Sequence, residues 1–295
     1  MTDIEKKLAL TAEKVTPYLE KLLVTPDGAL DTLYSAMRYT ALAGGKRIRP
    51  HLVLEFCRLF GGDEKAALPF AAGIELVHSA SLVHDDMPCM DNDDYRRGRL
   101  TCHKVYGEDI ALLAGDALMA KGYEAIAKNA LVPPASALEA TEVMISLSGG
   151  EGMMGGQEID LLSEGKKIDF DTLLKMHALK TGALIRAAAL LGCIAAGVHI
   201  SDGRAKDAET YARGIGLAFQ IIDDILDVIG DEKTLGKHTH ADAAEDKTTF
   251  ISFMSVDDAY AYARRETKKA TDAVGKYAGS EDLVRLAEYL IDREK

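Results

Sequence analysis

The stretch Gly216-Leu217-Ala218-Phe219-Gln220-Ile221-Ile222-Asp223-Asp224-Ile225-Leu226-Asp227 is an apolar run that ends in three carboxylates. Its pattern predicts a helix capped by Ser201 or Asp202 and running to about Ile229. On that helix Asp223 and Asp227, four apart, share a face, and Asp224 lies beside them. Carboxylates in an apolar helix are costly to bury unpaired, so these three are expected to line a wet cavity and hold a metal ion. The rest of the chain repeats the helical signature. Apolar residues recur three and four apart between polar caps and glycine stops, and strand-like alternation is almost absent. The expectation is an all-α fold, roughly ten or more helices packed as one bundle over residues 1–295.

Upstream, a segment from about Asp31 to Ala43 stops at Gly44-Gly45, and Lys46-Arg47-Ile48-Arg49 fills the turn. Pro50 suits the first position of a helix ending at Gly61-Gly62, and Asp63 can cap a long helix to Met87, where Pro88 breaks it. A charged loop from Pro88 to Leu100 precedes a helix from about Glu108 to Ala130, and Ser136 is placed as the next cap. Glycines 149, 150, 152, 155 and 156 bend the chain before Gln157. Two long helices follow, the first from near Asp171 to near Gly197 and the second the helix quoted above. A polar loop, Gly230 to Asp246, separates them from a final helical region.

The long helix ending near Met87 carries a second acidic group, Asp85-Asp86-Met87-Pro88-Cys89-Met90-Asp91. Alone it reads as well as a solvated acidic helix end. Two such clusters on separate helices, however, can oppose each other across a bundle core, and hard oxygen ligands of this kind suit Mg2+ shared with substrate phosphates. Basic residues complement them. Lys46, Arg47, Arg49, Arg96, Arg97 and Arg99 fall in two turns, with Lys180 and Lys237 near the C-terminal aspartates in sequence. Guanidinium forks and ammonium groups in that number suit two diphosphates, one bound directly and one through metal.

Composition narrows the class. The chain is 47% hydrophobic and 28% charged with a net charge of −12, which excludes a general nucleic-acid binder or a polybasic membrane anchor. The N-terminal MTDIEKKLAL has no apolar core or cleavage site of a secretory signal, so a cytoplasmic protein is expected. The run Ala187 to Val198 is too short for a transmembrane segment. Cys57, Cys89, Cys102 and Cys193 form no pair pattern and are expected as free thiols.

Taken together, the ordered motifs make the sequence similar to the trans-prenyl diphosphate synthases. These motifs are Gly44-Gly45-Lys46-Arg47-Ile48-Arg49-Pro50, Asp85-Asp86-x4-Asp91 with Arg96-Arg97, Gly156 to Leu161, Lys180-Thr181-Gly182, Phe219-Gln220, Asp223-Asp224-x-x-Asp227 and Lys237. The resemblance spans about positions 33 to 293. It implies an isoprenoid-synthase-type helical bundle with a central cavity, acting as a homodimer and joining isopentenyl diphosphate to an allylic prenyl diphosphate. By the same resemblance Asp85, Asp86, Asp91, Asp223 and Asp227 hold Mg2+, usually three ions, with Asp224 a close supporting carboxylate counted with them. Lys46, Arg49, His78 and Arg97 would bind isopentenyl diphosphate, and Arg96, Lys180 and Lys237 the allylic diphosphate. Thr181 and Gln220 would offer oxygen dipoles to the developing cation, with Gln157 and Asp160 behind the metal ligands. His78, seven before Asp85 and two turns along the same face, is otherwise an ordinary core histidine.

Ala80 and Ser81, fifth and fourth before Asp85, are read as the chain-length positions. Both are small where relatives stopping at fifteen carbons usually carry a ring, and the Pro88-Cys89 insertion is present. The reading leans to a twenty-carbon product. A fifteen-carbon farnesyl diphosphate synthase, a terpene cyclase and a non-catalytic regulatory subunit are the alternatives. The run Ala183 to Val198 is either a dimer interface or a buried helix.

Overall fold

The computed structural model describes residues 2–229 and 247–292. Its elements are helical apart from an antiparallel pair of two-residue strands, β1 (Tyr95–Arg96) and β2 (Arg99–Leu100). Lys237 and the predicted loop Gly230 to Asp246 lie outside the described residues. By its contacts the chain forms two compact units, one running to Ile145 together with Leu191–Val198, the other Ser146–Leu190 together with the chain from His199 onward.

The first unit contains α1 (Asp3–Leu22), α2 (Asp31–Ala41), α3 (Ile48–Leu59), α4 (Glu64–Asp85), α5 (Cys102–Tyr106) and α6 (Glu108–Ala127). Helix α7 (Pro134–Ser148) follows, and α10 (Gly182–Ala195) returns the chain to this unit. Helix α4 is its core. It is long and apolar enough to cross a membrane, yet 78% of that window is buried within the chain, as befits a central helix of a bundle. Asp63 caps it as expected, accepting the Lys65 N–H at 3.0 Å. Gly73 and Gly122 let α4 and α6 touch backbone to backbone. A Cβ on Gly73 would stand 2.8 Å from the Gly122 carbonyl, and one on Gly122 2.6 Å from that of Gly73. That seam fixes the direction in which α4 delivers its acidic C-terminus.

The second unit contains α8 (Met153–Ser163), α9 (Phe170–Lys180), α11 (Gly203–Ile229), α12 (Val256–Gly275) and α13 (Glu281–Ile291). Its core packs Leu173 and Met176 of α9 against Ile221, Ile222 and Ile225 of α11 and against Phe250. Phe250, fully buried, is caged by Phe170 at 6.0 Å, Tyr262 at 6.2 Å and His177 at 5.3 Å between ring centroids. Burying such a side chain contributes roughly 1.5–3 kcal/mol, so this cage anchors the chain beside α11.

Several boundaries differ from the sequence expectation. Helix α1 is added at the N-terminus, started by a capping box between Thr2 and Glu5 and burying Ile4, Leu8, Val15 and Leu19. Helix α3 begins at Ile48 rather than Pro50, because Arg47 turns left-handed (φ 50°) and starts the helix early. Helix α7 begins at Pro134, ahead of Ser136, since proline suits a first helical position. The helix expected from Asp171 to Gly197 is broken at Thr181, where α9 and α10 meet at 45°. The run Ala183 to Val198 is almost wholly buried within the chain, with Ala183, Leu191 and Cys193 at 0% exposure. The buried-helix reading therefore replaces the dimer-interface reading of that run.

Candidate active site

In the first unit α4 ends in the acidic motif and the chain curls back on it. The Asp91 N–H donates to the Asp85 carbonyl at 2.9 Å, so Pro88, Cys89 and Met90 bulge outward and Asp91 returns beside Asp85. Asp85 is half-buried, Asp91 exposed and Asp86 only 3% exposed. Asp86 faces inward, where Arg96 Nε and Nη2 reach its Oδ1 at 2.6 and 2.5 Å. Burial pushes the Asp86 carboxyl up while Arg96 pulls against it. Burial likewise opposes the Arg96 charge, and its hydrogen bond to Asp86 holds it above the ordinary value. Arg96 is therefore tied to the first aspartate motif.

The other basic residues converge on the same end of α4. Arg97, left-handed at φ 53° in the tight turn between β1 and β2, donates to the Gly44 carbonyl. A Cβ on Gly45 would lie 2.6 Å from the same guanidinium, so this glycine admits the arginine. Arg49 Nη1 lies 3.3 Å from His78 Nε2, and the buried Arg49 Nε has no partner. Burial, followed by the charges of Arg49 and Arg97, holds His78 well below its ordinary value. His78 is neutral and accepts from Arg49. Lys46 is exposed beside them. Arginines crowded around a neutral histidine, with an orphaned guanidinium nitrogen among them, form a cradle suited to an anion.

Arg47 and Arg99 behave differently. Arg47 is 4% exposed and pairs with the buried Glu75 at 2.5 Å. The Arg99 guanidinium lies over the Tyr39 ring, 4.3 Å from its centroid, and the Tyr39 hydroxyl donates to the Leu100 carbonyl at 2.7 Å. Both arginines hold turns. Of the chain-length positions, Ala80 is fully buried and Ser81 half-buried, its hydroxyl donating to the His78 carbonyl at 2.9 Å.

The second unit contains a cavity of about 280 Å³ lined by Lys180, Thr181 and Gln220 together with Asp223, Asp224 and Asp227. All six were expected at the site. Helix periodicity presents the aspartates of α11 to this space, and the break at Thr181 brings the end of α9 to it. Gly156 makes the fit possible, because a Cβ there would stand 2.0 Å from the Lys180 nitrogen. With α8 and α9 that close, Lys180 Nζ donates to Asp160 Oδ2 at 2.5 Å. Gln157, three residues before Asp160, has a buried side-chain nitrogen without a partner. Asp224 Oδ2 accepts the buried Phe250 N–H at 2.8 Å, and half-buried Asp223 lines the same cavity.

Glu75, Tyr39 and His177 were missed from the sequence. His177 lines the cavity, stacks on Phe250 at 19° and is pushed down to about 4 by burial. A sequence signal existed for Glu75, a single carboxylate inside the apolar run Phe70 to Val83, which demands a buried cation.

The donor set fits Mg2+. Among the described residues no three His, Cys, Asp or Glu side chains close into an ion cage. A cation at these carboxylates would therefore complete its shell with water and phosphate oxygens, which is how Mg2+ binds.

Comparison with known proteins identifies the family. Residues 30–288 match the family model described as Polyprenyl synthetase. The chain is 42% identical over 271 residues to a geranylgeranyl diphosphate synthase of Cyanophora paradoxa, covering 91% of this chain and 90% of the relative. A crystal structure of geranylgeranyl pyrophosphate synthetase from Pyrococcus horikoshii Ot3 superposes with TM-score 0.89 at 33% identity, over 99% of this chain and 100% of that one. An apo FPP/GFPP synthase from Zymomonas mobilis superposes with TM-score 0.88 at 35% identity, over 98% and 99%. With an all-α isoprenoid-synthase fold and both aspartate motifs in place, the chain belongs to the polyprenyl synthetase family of chain-elongating prenyltransferases.

Proposed function

We propose that this enzyme condenses isopentenyl diphosphate with allylic diphosphates, extending dimethylallyl, geranyl and farnesyl primers to a twenty-carbon product in an Mg2+-dependent reaction. The observation that carries this reading is the division of labour among charged residues: a metal-free cationic cradle at Arg49, His78 and Arg97, and carboxylates paired with single cations elsewhere. Lys46, Arg49, His78 and Arg97 hold the diphosphate of isopentenyl diphosphate, with neutral His78 contributing a hydrogen bond rather than charge. Asp85, Asp86, Asp91, Asp223 and Asp227 would hold Mg2+, three ions in all, with Asp224 fixing the chain behind them. Bound there, Mg2+ neutralises the leaving diphosphate and so assists its departure.

Residues 1–295 are taken as one polyprenyl synthase domain in this reading. Arg96, Lys180 and Lys237 bind the allylic diphosphate and stabilise its negative charge as the carbon–oxygen bond ionises. Thr181 and Gln220 turn oxygen atoms toward the resulting allylic cation. The isopentenyl double bond attacks that cation, and the proton lost passes to the departing diphosphate. The tail runs down α4 past Ala80 and Ser81, whose small side chains leave room for growth. The geranylgeranyl products named for two relatives support twenty carbons, and the FPP/GFPP name of the third brackets it. A homodimer is supported by the family resemblance and by exposed Leu112 and Leu113 on α6. A cytoplasmic location is kept as the expectation for a chain in which, among the described residues, the one single helix long and apolar enough to cross a membrane is mostly buried.

The test incubates the purified protein and Mg2+ with isopentenyl diphosphate and each primer in turn, then identifies products. Elongation to geranylgeranyl diphosphate, abolished by a chelator, is expected. A cyclised product, no reaction, or arrest at farnesyl diphosphate even when farnesyl diphosphate is the primer each overturns the corresponding part of the reading.

A further inference from the structure

Arg47 stands between two proposed substrate ligands in sequence, yet it points the other way. Lys46 is exposed, whereas Arg47 is 4% exposed, with both terminal nitrogens of its guanidinium paired within the protein and only its buried Nε without a partner. Nη1 donates to Glu75 Oε1 at 2.5 Å and Nη2 to the Ala41 carbonyl at 2.8 Å. One side chain thus joins the end of α2, the start of α3 and the middle of α4. The left-handed backbone at Arg47 turns it inward from the exposed turn that carries Lys46. Glu75 in turn lies three residues, about one helical turn, before His78 on α4. His78 contacts Arg49, which follows Arg47 by two residues, so the contacts close a ring: Arg47, Glu75, His78, Arg49 and back along the chain.

We propose that the buried Arg47–Glu75 pair is a positioning brace, which fixes the Lys46–Arg49 turn against the His78 face of α4 and touches no substrate itself. The inference rests on the assignment of Lys46, Arg49, His78 and Arg97 to isopentenyl diphosphate. Stability does not account for the pair. Replacing a buried ion pair with well-packed apolar groups is often neutral or stabilising, while removing one partner strands a charge. What an apolar pair lacks is the directional, two-point grip that sets the register of the turn to within a fraction of an ångström.

Two readings of Glu75 predict opposite signs. As a mere tempering charge, its loss would make the cradle more cationic and lower KM for isopentenyl diphosphate. As part of a brace, its loss releases Arg47 and misplaces Arg49 and His78, raising that KM.

The experiment measures kcat and both KM values, with geranyl diphosphate as primer, for Glu75→Gln and Arg47→Lys, alongside thermal unfolding. Lysine keeps a charge opposite Glu75 but cannot reach both Glu75 and Ala41, so it preserves the fold if Glu75→Gln does not. Each variant is expected to raise KM for isopentenyl diphosphate about tenfold and to leave the allylic KM within about twofold. The double variant Arg47→Gln with Glu75→Gln strands no charge but lacks the two-point grip, so it should regain thermal stability relative to Glu75→Gln while KM for isopentenyl diphosphate stays raised. A fall or no change in KM for isopentenyl diphosphate, or equal rises for both substrates, overturns the brace. Arg97→Ala is the control: if it leaves KM for isopentenyl diphosphate unmoved, the cradle assignment falls and the brace with it. If Arg97→Ala acts and the brace variants do not, only the brace is lost.

Discussion

Asp224→Asn and Asp223→Asn change neighbouring carboxylates of one motif identically, and the structure separates their consequences. Asp224 is 6% exposed and its Oδ2 accepts the buried Phe250 N–H at 2.8 Å. Asparagine retains an oxygen for that N–H, so the loss is the difference between a charged and a neutral acceptor, about 1 kcal/mol. For a chain of this size that is a fall in Tm of roughly 1.5–2 °C. Asp224→Ala removes the acceptor altogether and leaves a buried N–H unpaired, which costs about 1–3 kcal/mol and loosens the Phe250 cage beside His177. Asp223 is half-buried and lines the cavity. As a proposed metal ligand, however, its loss should reduce kcat by about 100-fold or more. Differential scanning fluorimetry with steady-state kinetics across an Mg2+ titration reads both. Equal losses of kcat for Asp224→Asn and Asp223→Asn, with equal shifts in Mg2+ requirement, would refute the division and make Asp224 a ligand in its own right.

Other expectations follow from the same contacts. His177 is held near 4 by burial against an unfolded value near 6.5, so the unfolded chain takes up a proton that the folded chain refuses as pH falls between those values. Stability is full above about 6.5 and declines toward 4 by up to roughly 3 kcal/mol, and His177→Phe should flatten that part of the Tm–pH curve. Gly156→Ala would drive a methyl group into the Lys180 backbone, forcing α8 and α9 apart at a cost of about 1–3 kcal/mol. Thermal unfolding should show that loss, and kcat should fall with the displaced Lys180. Ser81→Phe, at a half-buried position, is expected to shorten the product to fifteen carbons with little change in Tm; product chromatography checks it. Unchanged twenty-carbon product would move the floor of the tail channel to another helix.

The helical class and most element positions were legible because caps and periodicity are local. Asp63 before α4, the glycines after α2 and α3, and the aspartate spacing on α11 each state their role within a few residues. The break at Thr181 was not, since Ala183 to Val198 continues the apolar pattern and only the bend shows that two helices meet there. Helix α1 was hidden by its charged face. At the site, residue type identified the basic turns but not which arginines serve them: Arg47 and Arg49 are two residues apart, yet one is locked to Glu75 and the other faces His78. That choice is made by one backbone angle and by a carboxylate distant in sequence, and neither is visible in a local pattern. Tyr39 under Arg99 is hidden for the same reason.

Arg97 and the adjoining Gly98 both have positive φ, 53° and 74°, in the turn between the two short strands. Glycine adopts this conformation freely, while an arginine there is held against a preference of roughly 1–2 kcal/mol. Glycine or asparagine at position 97 would relieve that strain but give up the guanidinium's hydrogen bond to the Gly44 carbonyl, so the strained arginine is kept by that contact together with the diphosphate binding proposed for it.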